Sequence, residues 1–458
     1  MIGRAPSLAE GHLVSWYGDD FTGATAVMEV LTFAGLPSVL FFDIPTAAQL
    51  QQFAGYRGIG IAGIARSKSP DWMDVNLPPV FDALAALKTP ICHYKICSTL
   101  DSAPHVGSVG RACDIAIPRL GGDWHPLLVA APAIERYQVF GNLFAGVAGV
   151  PYRLDRHPVM SRHPVTPMTE ADVCKHLSLQ TALTFGLVSV LDLAGDGSAA
   201  LGRERDAGAQ IVAIDCMDSE TLAAAGRLIW EQRQDRVFAI GSQGVEYALI
   251  AYWRSAGLLE DAKPPAHPGK VDRMAVVSGS CSPITAAQIQ RAQSQGFEPI
   301  RINPALAVDT RTWKAELEKA TTQALHSLGE GRDPMVFTAS GSDDPSSTAY
   351  RAAIQLSGKA DDEVNEAVGS GLGQILRSVV ERAGLTRAVI AGGDTSSHGA
   401  STLGIYALTA LAPVAPGGAL CRAHSDNASL QQFEIALKGG QMGGPDYFET
   451  VRNGGIAA

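Results

Sequence analysis

Short apolar runs that alternate with amphipathic stretches predict an α/β protein built from two three-layer domains with mainly parallel sheets. The alternation continues along nearly all of the 458 residues, a length that suits two or three domains. It is interrupted at residues 257–271, where Pro-Pro and Pro-Gly pairs leave little periodicity. We therefore predict an N-terminal domain over 1–256, a linker over 257–271 and a C-terminal domain over 272–458. The active site is expected in the cleft between the two domains.

The first domain is predicted from apolar runs of strand length joined by helical stretches. Strands are expected at 13–18, 38–43, 58–64, 92–97, 126–131, 186–190, 210–214 and 236–240, and helices at 22–34, 72–87, 169–180, 197–206, 218–232 and 242–254. The stretch 132–168 differs, because it is long and rich in Arg, His and Pro. Such a segment is more often a functional loop or lid than a plain connection.

The second domain repeats the pattern with fewer elements. Strands are expected at 274–278, 298–302, 334–338, 387–391 and 432–437, and helices at 283–295, 311–328, 362–383 and 395–410. Neither a short internal repeat nor a low-complexity tract interrupts this half of the sequence.

Composition narrows the functional classes. A net charge of −10 argues against non-specific binding to nucleic acid, which needs a basic face. The seven Cys form no C-x-x-C pair, which is typical of reduced thiols in a cytoplasmic enzyme. The N-terminal sequence lacks a signal-peptide pattern, and no apolar run reaches the ~18 residues of a membrane span, so no membrane association is expected.

The first candidate site follows the first predicted strand, in the stretch Tyr17-Gly18-Asp19-Asp20-Phe21-Thr22-Gly23. Ligands of open α/β sheets bind at the carboxyl ends of the strands. Asp19 and Asp20 could hold a metal or polarise a hydroxyl there, while Thr22 and Gly23 suit a helix start that attracts anions. For Asp20 considered alone, simple helix capping explains the sequence equally well.

Basic and hydroxyl side chains follow two other strands of this domain. Arg66 could bind a carboxylate through two hydrogen bonds. Lys95 precedes a hydroxyl-rich segment that contains Ser98, Thr99 and Asp101. Each of these alone would be an ordinary surface loop, but the ends of parallel strands converge on one crevice. Two acids and two bases in one crevice suit a small polyhydroxy acid as substrate.

The second domain has glycine-rich turns after three of its strands. They contain Ser278, Gly279, Ser280 and Ser282, then Gly392, Gly393, Asp394 and Thr395, and finally Lys438, Gly439 and Gly440. Turns of this kind present N–H groups and hydroxyls to phosphates. Asp394 could reach a magnesium ion, and Lys438 could pair with nucleotide phosphates. One such turn would be weak evidence, but three exceed what a sheet needs for turning.

Two better-known nucleotide motifs are excluded. Residues 58–63 match G-x-G-x-x-G but lie inside an apolar run instead of between a strand and a helix. No G-x-x-x-x-G-K-[ST] occurs, and the histidines lack zinc-binding spacings.

Taken together, the acidic turn, Arg66, the Lys95-x-x-Ser98-Thr99 segment and the three glycine-rich turns resemble the four-carbon acid sugar kinase family. The resemblance covers nearly the whole chain. It implies that the N-terminal domain binds a sugar acid and the C-terminal domain binds ATP. It also implies phosphorylation of a terminal hydroxyl on threonate, erythronate, an oxo-tetronate or a branched 3-oxo acid. A homodimer is left open by the sequence.

Carried over by resemblance, the substrate side comprises Asp19, Asp20, Arg66, Lys95 and Ser98. The nucleotide side comprises Ser280, Ser282, Gly392, Gly393, Asp394, Thr395 and Gly440. We expect Asp20 or Asp19 to act as general base, and Asp394 to help bind Mg²⁺ directly or through water. Where many family members have Arg-Gly, this chain has Leu100-Asp101. That departure and the basic segment 132–168 leave the identity of the acid open.

Two other classes remain alternatives at this stage. A nucleotide-dependent hydroxy-acid oxidoreductase would explain the sheets and the anion-binding residues, but it lacks a dinucleotide fingerprint in the right context. A non-catalytic sugar-acid-binding protein would show neither hydrolysis nor transfer of the ATP phosphate.

Overall fold

The computed structural model describes residues 8–147, 149–163, 165–195, 197–341 and 344–456. Contacts within the chain divide it into two compact units, Met1–Lys263 and Pro264–Ala458. The division falls inside the segment 257–271, where residues 260–270 form neither helix nor strand. Each unit is an α/β structure.

The N-terminal unit contains a parallel sheet and a small antiparallel one. Its strands are β1 Val14–Gly18, β2 Ser38–Phe41, β3 Gly58–Ala62, β4 Ile91–Lys95, β5 His125–Leu128, β6 Arg136–Val139, β7 Asn142–Val147, β8 Val150–Arg153, β9 Phe185–Val188, β10 Ile211–Ile214 and β11 Val237–Gly241. Its helices are α1 Phe21–Phe33, α2 Ala47–Gln52, α3 Pro70–Ala86, α4 Val109–Leu120, α5 Val173–Ser178, α6 Val190–Leu193, α7 Ser198–Asp206, α8 Ser219–Glu231 and α9 Gly244–Ser255.

The parallel sheet runs in the order β2-β3-β1-β4-β11-β5-β10-β9. Successive side chains of β1 point to opposite faces of this sheet. Tyr17 packs edge-on against Phe81 of α3, whereas the indole of Trp16 donates to the carbonyl of Ala24 in α1. Helices therefore cover both faces, which explains why the strands are apolar along their whole length.

The stretch 132–168, predicted as a functional loop or lid, is not an irregular loop throughout. It contains β6, β7 and β8, which form an antiparallel sheet, together with short 3₁₀ turns. Phe140 and Gly141 join β6 to β7 with φ angles of 49° and 73°. A two-residue turn with positive φ at both positions matches the twist of a hairpin. Phe rarely adopts that conformation, so this turn could not be recognised from the residue types.

The C-terminal unit has a sheet in the order β13-β14-β12-β15-β18-β17-β16. Its elements are β12 Ala275–Ser278, α10 Pro283–Gln293, β13 Phe297–Arg301, α11 Thr310–Gly329, β14 Asp333–Phe337, α12 Pro345–Ser357, α13 Asp361–Ala383, β15 Arg387–Ala391, α14 Gly393–Thr402, β16 Ile405–Ala415, β17 Gly418–Ser425, β18 Glu434–Lys438 and α15 Tyr447–Asn453. The strands from β13 to β18 in this order are parallel, and β17 and β16 add antiparallel ladders.

The predicted helix 395–410 is wrong in its second half. Helix α14 ends at Thr402, Gly404 turns the chain with a φ of 76°, and β16 begins at Ile405. The sequence Ile-Tyr-Ala-Leu fits either periodicity, and antiparallel pairing with β17 selects the strand. Across the described residues, the helices are too short or too polar to span a membrane.

Candidate active site

The acidic turn lies between β1 and α1. Asp20 is the N-cap of α1: its Oδ1 accepts a hydrogen bond from the Gly23 N–H at 2.9 Å, and its Oδ2 accepts one from the Thr22 hydroxyl at 2.6 Å. Capping stabilises the helix and points this carboxylate at the positive end of the helix dipole. Asp20 therefore caps helix α1, as one of the two interpretations of the sequence predicts. The partners of Asp19 show that capping describes only part of the surroundings of Asp20.

Arg66 links the two carboxylates. Its Nε and Nη2 atoms donate to Oδ2 and Oδ1 of Asp19 at 3.1 and 2.6 Å, and Nη2 also lies 2.7 Å from Oδ1 of Asp20. The Asp19 side chain is 1% exposed, whereas that of Asp20 is 21% exposed. Two nitrogens of Arg66 are thus engaged by protein acids, and a contact between Arg66 and a substrate carboxylate stays a prediction.

Lys95 approaches the same turn from the end of β4. Its buried Nζ donates to the carbonyl of Ile96 at 2.7 Å. A Cβ atom built on Gly23 would lie 2.4 Å from Oδ1 of Asp20, 2.9 Å from Nζ of Lys95 and 3.4 Å from Nη2 of Arg66. Gly23 therefore has no room for a side chain, because one acid and two bases converge on the position that its Cβ would occupy.

The two carboxylates have opposite electrostatic environments. Burial raises the pKa of Asp19 more than Arg66 lowers it. Burial acts in the same sense on Asp20, but Arg66, Lys95 and the hydrogen bonds from Thr22 and Gly23 hold the pKa of Asp20 below its usual range. Burial also lowers the pKa of Lys95. Asp20 is consequently an ionised, partly accessible carboxylate at neutral pH.

The segment after β4 makes a tight turn that contacts the basic stretch. The Cys97 thiol lies 3.1 Å from the Thr99 hydroxyl and 3.6 Å from Oδ2 of Asp101. Oδ1 of Asp101 accepts a hydrogen bond from the Thr166 hydroxyl at 3.2 Å. Thr99 and Asp101 therefore hold the turn together, while Ser98 is partly exposed beside them.

The three glycine-rich turns of the C-terminal unit come together, as the strand order requires. A Cβ atom on Gly279 would lie 2.1 Å from the Thr395 hydroxyl, and one on Gly440 would lie 3.0 Å from the Ser280 hydroxyl. Gly392 has a φ of 116°, and a Cβ atom there would lie 3.3 Å from the Ser280 nitrogen. Only glycine allows these close approaches.

Ser282 is the N-cap of α10 and accepts from the Ile284 N–H at 3.2 Å, while Ser278 accepts from the Ser280 N–H at 3.3 Å. Gly393 has no atom near its missing Cβ. Asp394 lies in α14, but its side chain lies outside the described part of the structure.

Lys438, which the sequence predicts to pair with nucleotide phosphates, is buried inside the C-terminal unit. Its ammonium group donates to the Thr285 hydroxyl at 2.9 Å and to the carbonyls of Gly439 and Gly440 at 2.9 and 3.3 Å. These bonds use all three N–H groups of a lysine that is fully buried. Burial lowers the pKa of Lys438 to about 8. Lys438 therefore fixes the third turn to α10 instead of facing a ligand.

Sequence reasoning missed Thr285 as the acceptor of Lys438 and the donor to the Gly440 carbonyl at 3.0 Å. It also missed an open groove of about 1050 Å³ in the C-terminal unit, lined by Pro283, Arg301, Phe337 and Asp344 among others. Nothing in the hydrophobic pattern marks either feature, because both arise when separate strand ends meet.

A magnesium ion is compatible with these turns. Among the described residues, no group of three or more His, Cys, Asp or Glu side chains is arranged to hold a metal. Mg²⁺ in kinases is bound mainly through phosphates and water, with only one or two carboxylates. The hydroxyl groups of Ser280 and Ser282, beside the Gly440 turn, suit that type of oxygen environment.

Two family models match this chain in succession. The first is described as a sugar-binding N-terminal domain and matches residues 14–249, and the second as a nucleotide-binding C-terminal domain and matches residues 275–448. A 3-oxo-isoapionate kinase of Paraburkholderia graminis is 47% identical over 457 residues, with 99% of this chain and 97% of that protein covered. A 3-oxo-tetronate kinase of Cupriavidus necator is 28% identical, with 98% of each chain covered.

Solved structures support the fold. A Salmonella typhimurium LT2 protein superposes with a TM-score of 0.75 at 23% identity, covering 96% of this chain and 98% of that one. A Haemophilus influenzae protein superposes with a TM-score of 0.69 at 24% identity, covering 95% and 98%.

Proposed function

We propose, from the premise that this chain belongs to the four-carbon acid sugar kinase family and is a kinase of sugar acids, that its acceptor is a branched 3-oxo sugar acid. In this proposal ATP is the phosphoryl donor and a terminal hydroxyl of the acid is phosphorylated. The relative at 47% identity is named for a 3-oxo-isoapionate substrate, and the 3-oxo-tetronate kinases are more distant at 27–29% identity. That difference favours the branched acid over the linear tetronates.

The observation that supports this chemistry is the environment of Asp20. Its carboxylate is partly exposed, is held by α1 and Arg66, and lies with Lys95 close to the backbone of Gly23. Phosphoryl transfer needs little covalent chemistry from the protein, mainly positioning and neutralisation of charge. A fixed carboxylate beside fixed cations meets both needs for an acceptor hydroxyl.

The proposed division of roles follows from the geometry of each side chain. Asp20 accepts the proton of the attacking hydroxyl, because it is ionised and accessible. Asp19 is enclosed and holds Arg66 in place, so it acts as a positioning residue. Ser98 and Lys95 orient the polar groups of the acid, and the Thr22 hydroxyl fixes the orientation of Asp20.

On the nucleotide side, the turns at Gly279, Gly392 and Gly440 offer hydroxyls and close backbone approach to the phosphates of ATP. Mg²⁺ bound to those phosphates would neutralise charge that develops during transfer, with Asp394 as its proposed carboxylate partner. Lys438 keeps the turns in register from inside the unit.

The test is an ADP-release assay with Mg-ATP and a panel of acids: 3-oxo-isoapionate, 3-oxo-tetronates, threonate and erythronate. We expect the highest kcat/KM with the branched 3-oxo acid. Preference for a linear tetronate would overturn the proposed substrate, and no phosphorylation of any acid would overturn the proposed reaction.

The roles of the two acids are tested by Asp20→Asn. We expect a loss of kcat of about 100-fold or more, the range of general base catalysis, with little change in nucleotide affinity. Asp19→Asn should instead loosen Arg66 and lower thermal stability together with activity. An Asp20→Asn variant with wild-type turnover would remove Asp20 from the mechanism.

A further inference from the structure

The proposed substrate carries a carboxylate. The contacts of the acidic turn do not show which basic side chain would bind that carboxylate. Two nitrogens of Arg66 are engaged by Asp19, and one of them also contacts Asp20. Binding a further carboxylate there would bring three negative groups to one guanidinium. Another basic side chain at the carboxyl-terminal end of the same parallel strands is therefore a better candidate.

Arg136 lies at that end of the strands. It begins β6, and its backbone exchanges hydrogen bonds with Ala131, three residues beyond the end of β5: Ala131 N–H donates to the Arg136 carbonyl at 2.9 Å and Arg136 N–H to the Ala131 carbonyl at 3.2 Å. Further along β6, Gln138 pairs with Cys216, which follows β10. Attachments to the segments that follow β5 and β10 fix the position of Arg136 at the carboxyl-terminal end of the parallel strands.

The guanidinium of Arg136 is incompletely satisfied. Its Nη1 donates to the carbonyls of Ile134 and Glu135 at 3.0 and 3.3 Å. Its Nε is buried without a hydrogen-bond partner among the described residues. A buried charged donor without a partner is costly, and the cost is removed when an acceptor binds.

Cys97 connects Arg136 with the acidic turn. Arg66, Lys95 and Arg136 each interact electrostatically with the Cys97 side chain. Its Sγ also lies 3.6 Å from Oδ2 of Asp101, the residue that contacts Thr166 of the basic segment. Arg136 thus lies near the same turn after β4 as the two bases of the proposed substrate site.

We propose that Arg136 binds the carboxylate of the sugar acid and so makes β6 a specificity-determining part of the substrate site. This inference rests on the proposed function, because it assigns one group of the proposed substrate to one side chain. An acid anchored at Arg136 presents its far end, which carries the terminal hydroxyl, away from β6. The length and branching of the acid would then decide whether that hydroxyl is reached by the base.

The first experiment compares Arg136→Met with Arg156→Met, a change at an exposed arginine of the same segment. We expect the Arg136 variant to raise KM for the acid about 10- to 100-fold, the range of a charge-assisted hydrogen bond. The KM for ATP and the melting temperature should remain near those of the wild type, and Arg136→Lys should restore part of the affinity. The Arg156 variant should match the wild type throughout.

A second experiment identifies the group that Arg136 binds. The carboxamide analogue of the best acid should be a poor substrate of the wild-type enzyme, whereas Arg136→Met should discriminate little between the acid and the amide. Equal discrimination by both enzymes, or an unchanged KM in Arg136→Met, would overturn the assignment while wild-type turnover upholds the proposed function. Failure of the wild type on every acid would overturn the proposed function first and this inference with it.

Discussion

Asp19 and Asp20 are adjacent in the chain, yet they differ in exposure, partners and pKa. Asp19 follows the buried strand directly, so its side chain is enclosed and binds Arg66 through two hydrogen bonds. Asp20 is one residue further on, where the chain turns into α1, and its carboxylate meets the helix N–H groups. Burial favours a neutral Asp19, while cations and hydrogen bonds favour an ionised Asp20. Environments that separate the pKa values of two acids also separate their roles.

The close packing of Asp20 and Lys95 around Gly23 gives the most direct test of this arrangement. In Gly23→Ala, the new methyl group would lie within 3.0 Å of Asp20 Oδ1 and of Lys95 Nζ, so at least one of them must move. We expect kcat/KM for the acid to fall about 100-fold, the effect of a displacement near 1 Å, with KM for ATP unchanged. Steady-state kinetics against Gly202→Ala, at a helical glycine with open space, provides the comparison. Wild-type kinetics in Gly23→Ala would contradict the proposed substrate position.

The charge of Lys95 gives a prediction about pH. Lys95 contributes to the lowered pKa of Asp20, so removing its charge in Lys95→Met should raise that pKa. Asp20 must be ionised to accept a proton, and activity is lost as the pH falls through its pKa. The acidic limb of the kcat profile should therefore move to higher pH in Lys95→Met. Lys175→Met, at a lysine with a 72% exposed side chain, should leave the limb in place, and an unmoved limb in Lys95→Met would exclude Asp20 as the titrating base.

Among the elements, those at the strand ends could be predicted from sequence. Apolar runs over 13–18 and 92–97 predicted parallel strands, and parallel strands bring their carboxyl ends together whatever the side chains do. The ion pairs of Arg66 could not be predicted in the same way, because they depend on which acid faces inward. The strands β6, β7 and β8 were missed because their turn uses Phe140, and β16 because its apolar run fits two periodicities.

Lys438 is a second residue whose contacts could not be predicted from the sequence. A lysine directly before two glycines suggests a phosphate contact, and the sequence gives no sign that Thr285 and two carbonyls engage its ammonium group. Burial of the strand end decides the outcome, since a fully enclosed ammonium must find its acceptors inside the protein. Lys438 was predicted to contact a ligand, and in the structure its hydrogen bonds position the third glycine-rich turn.

The close approach between the first and second glycine-rich turns is tested by Gly279→Ala. The new Cβ atom would lie 2.1 Å from the Thr395 hydroxyl, which forces the turn after β12 away from the start of α14. We expect KM for ATP to rise at least 10-fold while KM for the acid stays within about twofold, because the change lies in the nucleotide-binding unit. Gly329→Ala, at an exposed glycine with open space, is the matched control. Unchanged nucleotide kinetics in Gly279→Ala would show that these two turns do not bind the phosphates.

At the scale of the whole molecule, the chain has a net charge of −10, and several basic side chains lie together at the carboxyl ends of strands in the N-terminal unit. Arg66, Lys95 and Arg136 all follow or adjoin strand ends of the N-terminal unit. Under the proposed function, these cations would supply the local positive charge that binds a small anionic acid, although the chain as a whole is acidic. The C-terminal turns would instead bind phosphate through backbone N–H groups and hydroxyls. Acid and nucleotide would thus be recognised by two different kinds of chemistry, one in each compact unit.

This division of chemistry predicts which parts of the chain each ligand protects from hydrogen exchange. A non-hydrolysable ATP analogue with Mg²⁺ should slow exchange most in residues 278–285, 391–397 and 438–441, and the acid alone should slow it most in residues 18–24, 64–68 and 95–101. Binding lowers the population of locally opened states in proportion to ligand saturation, so protection should rise with concentration in each set independently. The exposed helix α7 serves as an internal reference that neither ligand should affect. If the nucleotide analogue protected only the N-terminal set, the assignment of ATP to the C-terminal turns would be wrong. If both the analogue and the acid protected only the N-terminal set, the two ligands would share the crevice at Asp20.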